Sequence, residues 1–192
     1  MKALALALLF SLPALAQTRV EPRLLIKEHH LFASGGLTWL ERGDYYDSPG
    51  FIAQVSWYPV EQGGLDLQIV GLLSFLSSSG QEVFRVAGLV PDAHMPQGLV
   101  LAGWRHTLAY GKAAVGSQVL HFDLQGAAHV GTLITDRAWT PAFSASGGVL
   151  VRVTERFFGQ LDLGVVANYE NRQQSSPFNF GFLPLLTFGV EL

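Results

Sequence analysis

The chain has 192 residues, a formal net charge of −3 and no cysteine. This charge argues against a nucleic-acid partner, and the lack of cysteine excludes a fold held by disulfides. Charged residues make up 14% of the chain and hydrophobic residues 49%, where about a quarter charged is usual for a soluble domain. No apolar run after the first residues reaches the roughly 18 that a transmembrane helix needs, so strands must hold the apolar surplus.

The N-terminus has the pattern of a secretory signal. Lys2 precedes an apolar run at 3–15, and this run ends in a small-x-small sequence of the kind that signal peptidase cleaves. We predict cleavage after Ala16, which removes Lys2 and changes the net charge from −3 to −4. The charged residues 17–28 are predicted to form a periplasmic lead-in, and residues 29–192 to form one domain.

Apolar residues alternate with polar or small residues along most of this domain. In the clearest segment one face carries Phe51, Ala53, Val55 and Trp57, and the other carries Ile52, Gln54, Ser56 and Tyr58. Such a period of two is typical of β-strands with two different faces. The pattern predicts eight strands, at about 29–40, 51–59, 65–76, 98–108, 118–131, 142–154, 157–169 and 179–192.

The predicted connections alternate in length. The longer ones are 41–50, 77–97, 132–141 and 171–177, and the shorter ones are 60–64, 109–117 and 155–156. Outer-membrane barrels have this rhythm, with short periplasmic turns and longer outer loops. In lipid an open sheet edge would leave backbone groups unpaired, so the sheet must close. The sequence predicts an all-β, eight-stranded antiparallel transmembrane β-barrel in the outer membrane, with lipid around it.

The face opposite the apolar one is only partly polar, with one or two charges per strand. A narrow lumen filled by side chains explains this composition better than a solvent-facing surface does. Charges in a tight interior are costly unless paired, so we expect the acidic and basic groups to pair there. A proton or solute path is the alternative. The candidate lumen polar network consists of Asp66, Arg105, His121, Asp123, Arg152, Asp162 and Glu191.

Several aromatic residues fall near predicted strand ends. Aromatic girdles mark the two membrane interfaces of outer-membrane barrels, although aromatic residues also favour strands in general. The candidate interface aromatics are Trp57, Tyr58, Trp104, Tyr110 and Tyr169.

The histidines raise the question of catalysis or metal binding. His121 and Asp123 share a strand face and could form a histidine–carboxylate pair, and His129 could join them around a metal. No nucleophile completes such a set, and no phosphate-binding or hydrolase motif is present in the sequence. We therefore predict no catalytic residue, no metal site and no cofactor, and interpret the pair as an interior hydrogen bond.

The chain contains five notable segments: YYDSPG at 45–50, WYPVE at 57–61, Trp104, YGK at 110–112 and VLHFDL at 119–124. In these segments it resembles an outer-membrane β-barrel domain family known mainly from myxobacteria and related predatory bacteria. The resemblance covers nearly the whole chain after the signal. It implies the barrel fold and an outer-membrane location. Some members of the family are linked to gliding-motility or export assemblies of the envelope.

The sequence supports two main functional interpretations. A lipid-modifying enzyme and a soluble ligand-binding barrel are the remaining alternatives. In the first, the chain is a non-enzymatic structural or docking component of an envelope complex, with loops 41–50, 77–97 and 132–141 and the lead-in 17–28 as contact regions. Envelope or motility-complex proteins would then be its partners. In the second, it is a narrow channel, although eight strands leave little lumen.

Overall fold

The computed structural model describes residues 26–43, 45–88, 94–115, 118–170 and 177–192. The predicted signal peptide and the lead-in before Ile26 lie outside these residues. The eight barrel strands are β1 Leu31–Glu41, β2 Tyr46–Val60, β3 Gly63–Leu72, β4 Pro96–Val115, β5 Gln118–Thr135, β6 Trp139–Arg152, β7 Phe157–Tyr169 and β8 Phe178–Glu191.

Each strand pairs antiparallel with the next, and the last strand closes the sheet on the first. Leu37 of β1 lies opposite Phe51 of β2 on one side and opposite Leu186 of β8 on the other. The short segment Phe75–Leu76 resumes β3 after a break and pairs with β2, so the number of barrel strands stays eight. The structure confirms the prediction of a closed, eight-stranded antiparallel barrel.

The two faces of the sheet have the polarity that the alternation predicts. On β2, Ile52, Gln54 and Ser56 are buried inside, while Phe51 and Val55 are exposed outside. Large apolar side chains are exposed on the outside of all eight strands, which is far more apolar surface than a soluble monomer presents. Polar groups gather inside, as in a barrel that faces lipid.

The barrel has two unlike ends. Its base carries both ends of the strand sequence, near Leu31 and Glu191, and the short connections 60–63 and 152–157. The loop end carries the connections 41–46, 72–96, 135–139 and 169–178.

Several strands extend further than predicted. The predicted turn at 109–117 is mostly strand, because Tyr110 pairs with Asp123 and Gly111 with Phe122 in the β4–β5 hairpin. Gly111 is not a turn residue; the Phe122 ring lies over it, where a Cβ would collide. The predicted loops 41–50 and 132–141 also contain strand at their edges.

The β4–β5 hairpin projects beyond the rest of the base. The last residue of β4 that pairs with β3 is His106, opposite Gly63. From Thr107 to Val115, β5 is the one described strand that pairs with β4. On its other side β5 pairs with β6 as far as His121, opposite Arg152. The described residues 113–115 and 118–120 therefore form a two-stranded ribbon that pairs with no other described strand.

The longest predicted loop contains a helix, α1 Ser78–Ala87, that the alternation analysis missed. The Ser77 side chain accepts a hydrogen bond from the Gly80 N–H at its start, and Gly88 ends it with a φ of 65°. A serine N-cap and a glycine in the left-handed region are ordinary helix boundaries. Within the described ranges, no helix is long and apolar enough to cross a membrane.

Candidate functional site: the barrel interior

Inward side chains form three layers along the barrel axis. The loop-side layer is apolar and contains Leu40, Ile52, Val70, Leu72, Leu99, Leu101, Leu133, Ala142, Val166, Leu183 and Leu185. The base layer contains Phe32, Tyr58, Leu150 and Phe158, with Tyr110 packed against it. Between them lies the polar belt, made of Gln54, Ser56, Asp66, Gln68, Arg105, Gln125, His129, Gln160 and Asp162.

Arg105 is the centre of the polar belt. Its Nη2 lies 3.0 Å from Oδ2 of Asp66 on the neighbouring strand β3, and its Nη1 lies 2.9 Å from Oδ2 of Asp162 on β7. The Gln125 Oε1 accepts a further hydrogen bond at 3.3 Å. One guanidinium therefore links strands on different sides of the lumen, and its planar array of donors suits two carboxylates at once.

The Asp66 carboxylate is fully surrounded by donors. Its Oδ1 accepts hydrogen bonds from Ser56 Oγ at 2.6 Å and Gln54 Nε2 at 3.0 Å. Its Oδ2 accepts from Gln68 Nε2 at 3.1 Å and lies 2.9 Å from His129 Nε2. A buried carboxylate is tolerated when its lone pairs are satisfied in this way.

Asp162 is held from its own strand. Gln160 Nε2 donates to its Oδ2 at 2.6 Å, on the same inward face two residues away. On the neighbouring strand, Gly148 lies opposite Asp162, and a Cβ there would collide with the carboxylate. Gly148 thus supplies the space in which the Asp162 carboxylate meets Arg105.

Asp123 does not join this belt; it pairs with Lys27, which the sequence analysis did not select. The Lys27 Nζ lies 2.7 Å from Asp123 Oδ2, donates to Thr107 Oγ1, and sits 5.1 Å from the centre of the Tyr58 ring. The Lys27 backbone N–H donates to Glu61 Oε2 at 2.7 Å. The end of the predicted lead-in is therefore part of the barrel, and Lys27 fills its base.

Arg152 and Glu191 form a separate pair at the rim of the base. Arg152 Nη2 donates to Glu191 Oε2, and His30 Nδ1 contacts the other oxygen of the same carboxylate. Both ends of this pair are partly exposed. The predicted network is thus divided into the belt, the Lys27 pair, this rim pair and His121, which meets Tyr110.

The predicted hydrogen bond between His121 and Asp123 is wrong, and His129 lies with neither of them. His121 Nδ1 hydrogen bonds to the Tyr110 hydroxyl, and their rings stack with centroids 5.9 Å apart. Asp123 faces Lys27, and His129 faces Asp66 and Ser144. In the part of the chain that the structure describes, no group of three or more histidine and acidic side chains could hold a metal.

A further buried pair at the loop end also escaped the sequence analysis. Arg42 Nη1 lies 3.0 Å from Glu170 Oε1, and its Nη2 donates to the His94 carbonyl at 2.6 Å. Asn179 Nδ2 reaches the other Glu170 oxygen at 3.4 Å. The signal for Glu170 was its parity, which it shares with the inward positions of β7; Arg42 lay in a predicted loop.

The candidate interface aromatics separate by the parity of their positions. Trp57, Trp104 and Tyr169 are exposed on the outside of the barrel. Tyr58 is not an interface residue: it is 1% exposed and packs in the base layer, because alternation places it on the opposite face from Trp57. The prediction of Tyr110 as an interface aromatic is likewise wrong, since its ring packs inward against the base layer and its hydroxyl hydrogen bonds to His121.

Several solved structures are similar to this chain. The N-terminal β-barrel domain of Pseudomonas aeruginosa OprF matches with a TM-score of 0.49 and 9% identity, covering 86% of this chain and 98% of that one. Ail of Yersinia pestis, in complex with sucrose octasulfate, matches with a TM-score of 0.45 and 11% identity, covering 86% and 99%. No protein-family model and no curated protein matches the sequence.

The class of protein follows from this chain's own strand pairing and burial. A closed antiparallel barrel with an apolar exterior and a polar, cross-linked interior is an outer-membrane β-barrel of the smallest type. Both buried carboxylates of the belt pair with Arg105, and the three layers of buried side chains occupy the described lumen from loop end to base. Such an interior stabilises the wall.

Proposed function

We propose that the protein is a non-enzymatic outer-membrane barrel that acts as a structural or docking component of an envelope-spanning complex. The observation that carries this proposal is the filled lumen: Arg105 bridges Asp66 and Asp162 across it, and Lys27 fills its base. This arrangement favours neither a water-filled pore nor an internal substrate cleft. The surfaces at the two ends are then where the protein meets others.

The outer surface supports lipid as the surroundings of the barrel wall. The chain has four tryptophans, and all four are exposed outside: Trp39, Trp57, Trp104 and Trp139. Lipids brominated on their acyl chains should quench the tryptophan fluorescence of the refolded protein, whereas water-soluble acrylamide should quench it weakly. Strong quenching by acrylamide alone would contradict the membrane location.

The β4–β5 hairpin is the best-supported docking surface at the base. Two exposed apolar residues mark it: Leu108 on β4 lies beyond the last contact with β3, and Val119 on β5 lies in the two-stranded ribbon. Since short turns and both strand ends place the base in the periplasm, the hairpin would meet periplasmic or envelope proteins. The gliding-motility or export setting is suggested by the family resemblance alone.

The test is outer-membrane fractionation with cross-linking of the tagged protein, and with a heat-dependent band shift as the check of folding. The variant Leu108→Ser/Val119→Ser should keep the band shift and lose its cross-linked envelope partners. Phe84→Ser, an exposed apolar substitution at the opposite end, is the matched control and should keep those partners. Equal cross-linking by both variants would exclude the hairpin as the docking surface.

Two further measurements could overturn the proposal as a whole. Steady conductance of the pure, folded protein in planar bilayers would show that the filled lumen conducts and would favour the channel interpretation. A change in the lipid composition of a deletion strain, restored by the wild-type chain, would favour the lipid-modifying enzyme. The proposal expects electrically silent protein and unchanged lipids.

A further inference from the structure

Helix α1 is amphipathic. With about 100° of rotation per residue, Val83, Phe84 and Ala87 fall within about 100° of one another. Gln81, Glu82 and Arg85 occupy the opposite side of the helix. Arg85 Nη2 and Glu82 Oε2 lie 2.8 Å apart, so the charges on the polar side neutralise each other. The helix thus has one apolar face and one hydrated, electrically neutral face.

The apolar face is covered by the barrel only at the start of the helix. Gly80 lies on this face and is buried against the barrel, and Val83 is partly buried. Further along the same face Phe84 is 52% exposed and Ala87 is exposed. Ser77 and Gly88 cap the two ends of the helix, but a helix of 10 residues is marginally stable alone, so it depends on contact with its surroundings. No described part of the protein covers the exposed Phe84 side chain.

The position of α1 indicates what contacts these apolar side chains. The exposed residues Leu73 and Phe75 continue the outward, apolar face of β3 directly into the helix. The helix then rests on the β1–β2 connection, where a Cβ on Gly80 would lie only 2.9 Å from the Tyr45 carbonyl oxygen. Tyr45 is itself exposed. The apolar face of α1 therefore extends the lipid-facing surface of the barrel at its loop end.

We propose that α1 lies in the headgroup region of the surrounding membrane, with Phe84 directed into the acyl chains and Gln81 directed into water. This inference rests on the membrane location proposed above. Interfacial helices have a strongly polar face opposite an apolar face that carries aromatic or aliphatic residues. Helix α1 has this division, although the charges on its polar face are paired and not predominantly basic. The barrel supplies the anchor, so the helix adds a lipid contact at one edge of the loop end.

The absence of cysteine makes the test direct. The variants Phe84→Cys and Gln81→Cys each introduce a single thiol that can carry a nitroxide spin label. Each labelled protein is refolded into vesicles of phosphatidylethanolamine and phosphatidylglycerol. Collision of the label with oxygen, which concentrates in lipid, is compared with collision with a water-soluble nickel chelate. The ratio of oxygen to nickel accessibility should be several-fold higher at position 84 than at 81.

A third variant separates failure of this inference from failure of the membrane location. Leu67→Cys labels an outward position in the middle of β3 and should show the ratio of a lipid-facing site. If position 67 faces lipid and positions 84 and 81 are equally open to the nickel chelate, the helix stands in water and the inference is wrong. A label at 84 shielded from both reagents would mean a protein cover, which also overturns it. If position 67 itself faces water, the membrane location fails.

Discussion

The polar belt and the loop-side layer occupy the same lumen with opposite chemistry. The belt is built from charges, with Arg105 between Asp66 and Asp162, while the layer above it is hydrocarbon contributed by residues such as Leu99, Leu101 and Leu133. Both are closely surrounded and both join strands from different sides of the barrel. The belt and the loop-side layer therefore contribute differently to the fold.

The two sets differ in how strongly they determine which face of each strand points inward. A one-residue slip in register turns every side chain to the other face. Leucines of the loop-side layer would then face lipid, which tolerates them, whereas Asp66 and Arg105 would face lipid at a cost of several kcal/mol. The apolar layer gives the barrel packing, and the charged belt determines which face of each strand points inward.

The largest effect is expected from removing the centre of the belt. Arg105→Leu leaves the buried Asp66 and Asp162 carboxylates without their shared cation, and should lower the free energy of unfolding by about 3–5 kcal/mol. Urea unfolding of the protein in vesicles, followed by the heat-dependent band shift, measures it.

A triple variant shows whether unpaired charge causes the loss. Asp66→Asn and Asp162→Asn combined with Arg105→Leu remove all three charges, and should recover part of the lost stability. If the single and triple variants unfold at the same urea concentration as each other, lost packing explains the effect and the belt is not primarily electrostatic.

A cavity in the apolar layer should cost somewhat less. Leu101 is fully buried in the loop-side layer, and Leu101→Ala should lower the free energy of unfolding by about 2–5 kcal/mol because the surrounding side chains cannot fill the space. The matched control is Leu67→Ala on the outside of β3, where lipid can fill the gap. Equal losses at the two positions would mean that the loop-side layer is poorly packed.

Lys27 tests how far the polar interior extends towards the base. Lys27→Met keeps most of the side-chain volume and removes the partner of Asp123, so a loss of about 1–3 kcal/mol is expected. The loss should be smaller than for Arg105→Leu, since Lys27 pairs with one carboxylate and Arg105 with two. Combining Lys27→Met with Asp123→Asn should reduce the loss. An unchanged unfolding midpoint would show that the Lys27–Asp123 pair does not stabilise the barrel.

Periodicity predicted the barrel, its strand number and the inward position of Asp66, Arg105 and Asp162. It could not predict which charges pair, because pairing across the lumen depends on strand register and on the space left by residues such as Gly148. Lys27 was missed because it precedes the first strand and gives no alternation signal.

At the end of β2, closeness to the strand end and strand parity indicate different places for two neighbouring aromatic residues. Trp57 and Tyr58 are neighbours and both lie near a strand end, which suggested two interface residues. Adjacent strand residues point to opposite faces, so only one of them could be outside. Helix α1 follows a different period and lay within a segment interpreted as a loop.

The smallest effect is expected at an ion pair of the same chemistry in a different environment. Arg85 and Glu82 on α1 are an arginine–carboxylate pair like Arg105 and Asp66, with 2.8 Å between Nη2 and Oε2, but both side chains are mostly exposed. Water already solvates each partner, so Glu82→Gln should change the free energy of unfolding by at most about 1 kcal/mol, and added salt should reduce even that. A loss as large as that of Arg105→Leu would mean that this pair is covered in the membrane-bound protein. Burial inside the barrel would then not be what makes the Arg105 pair more important for stability than the Arg85 pair.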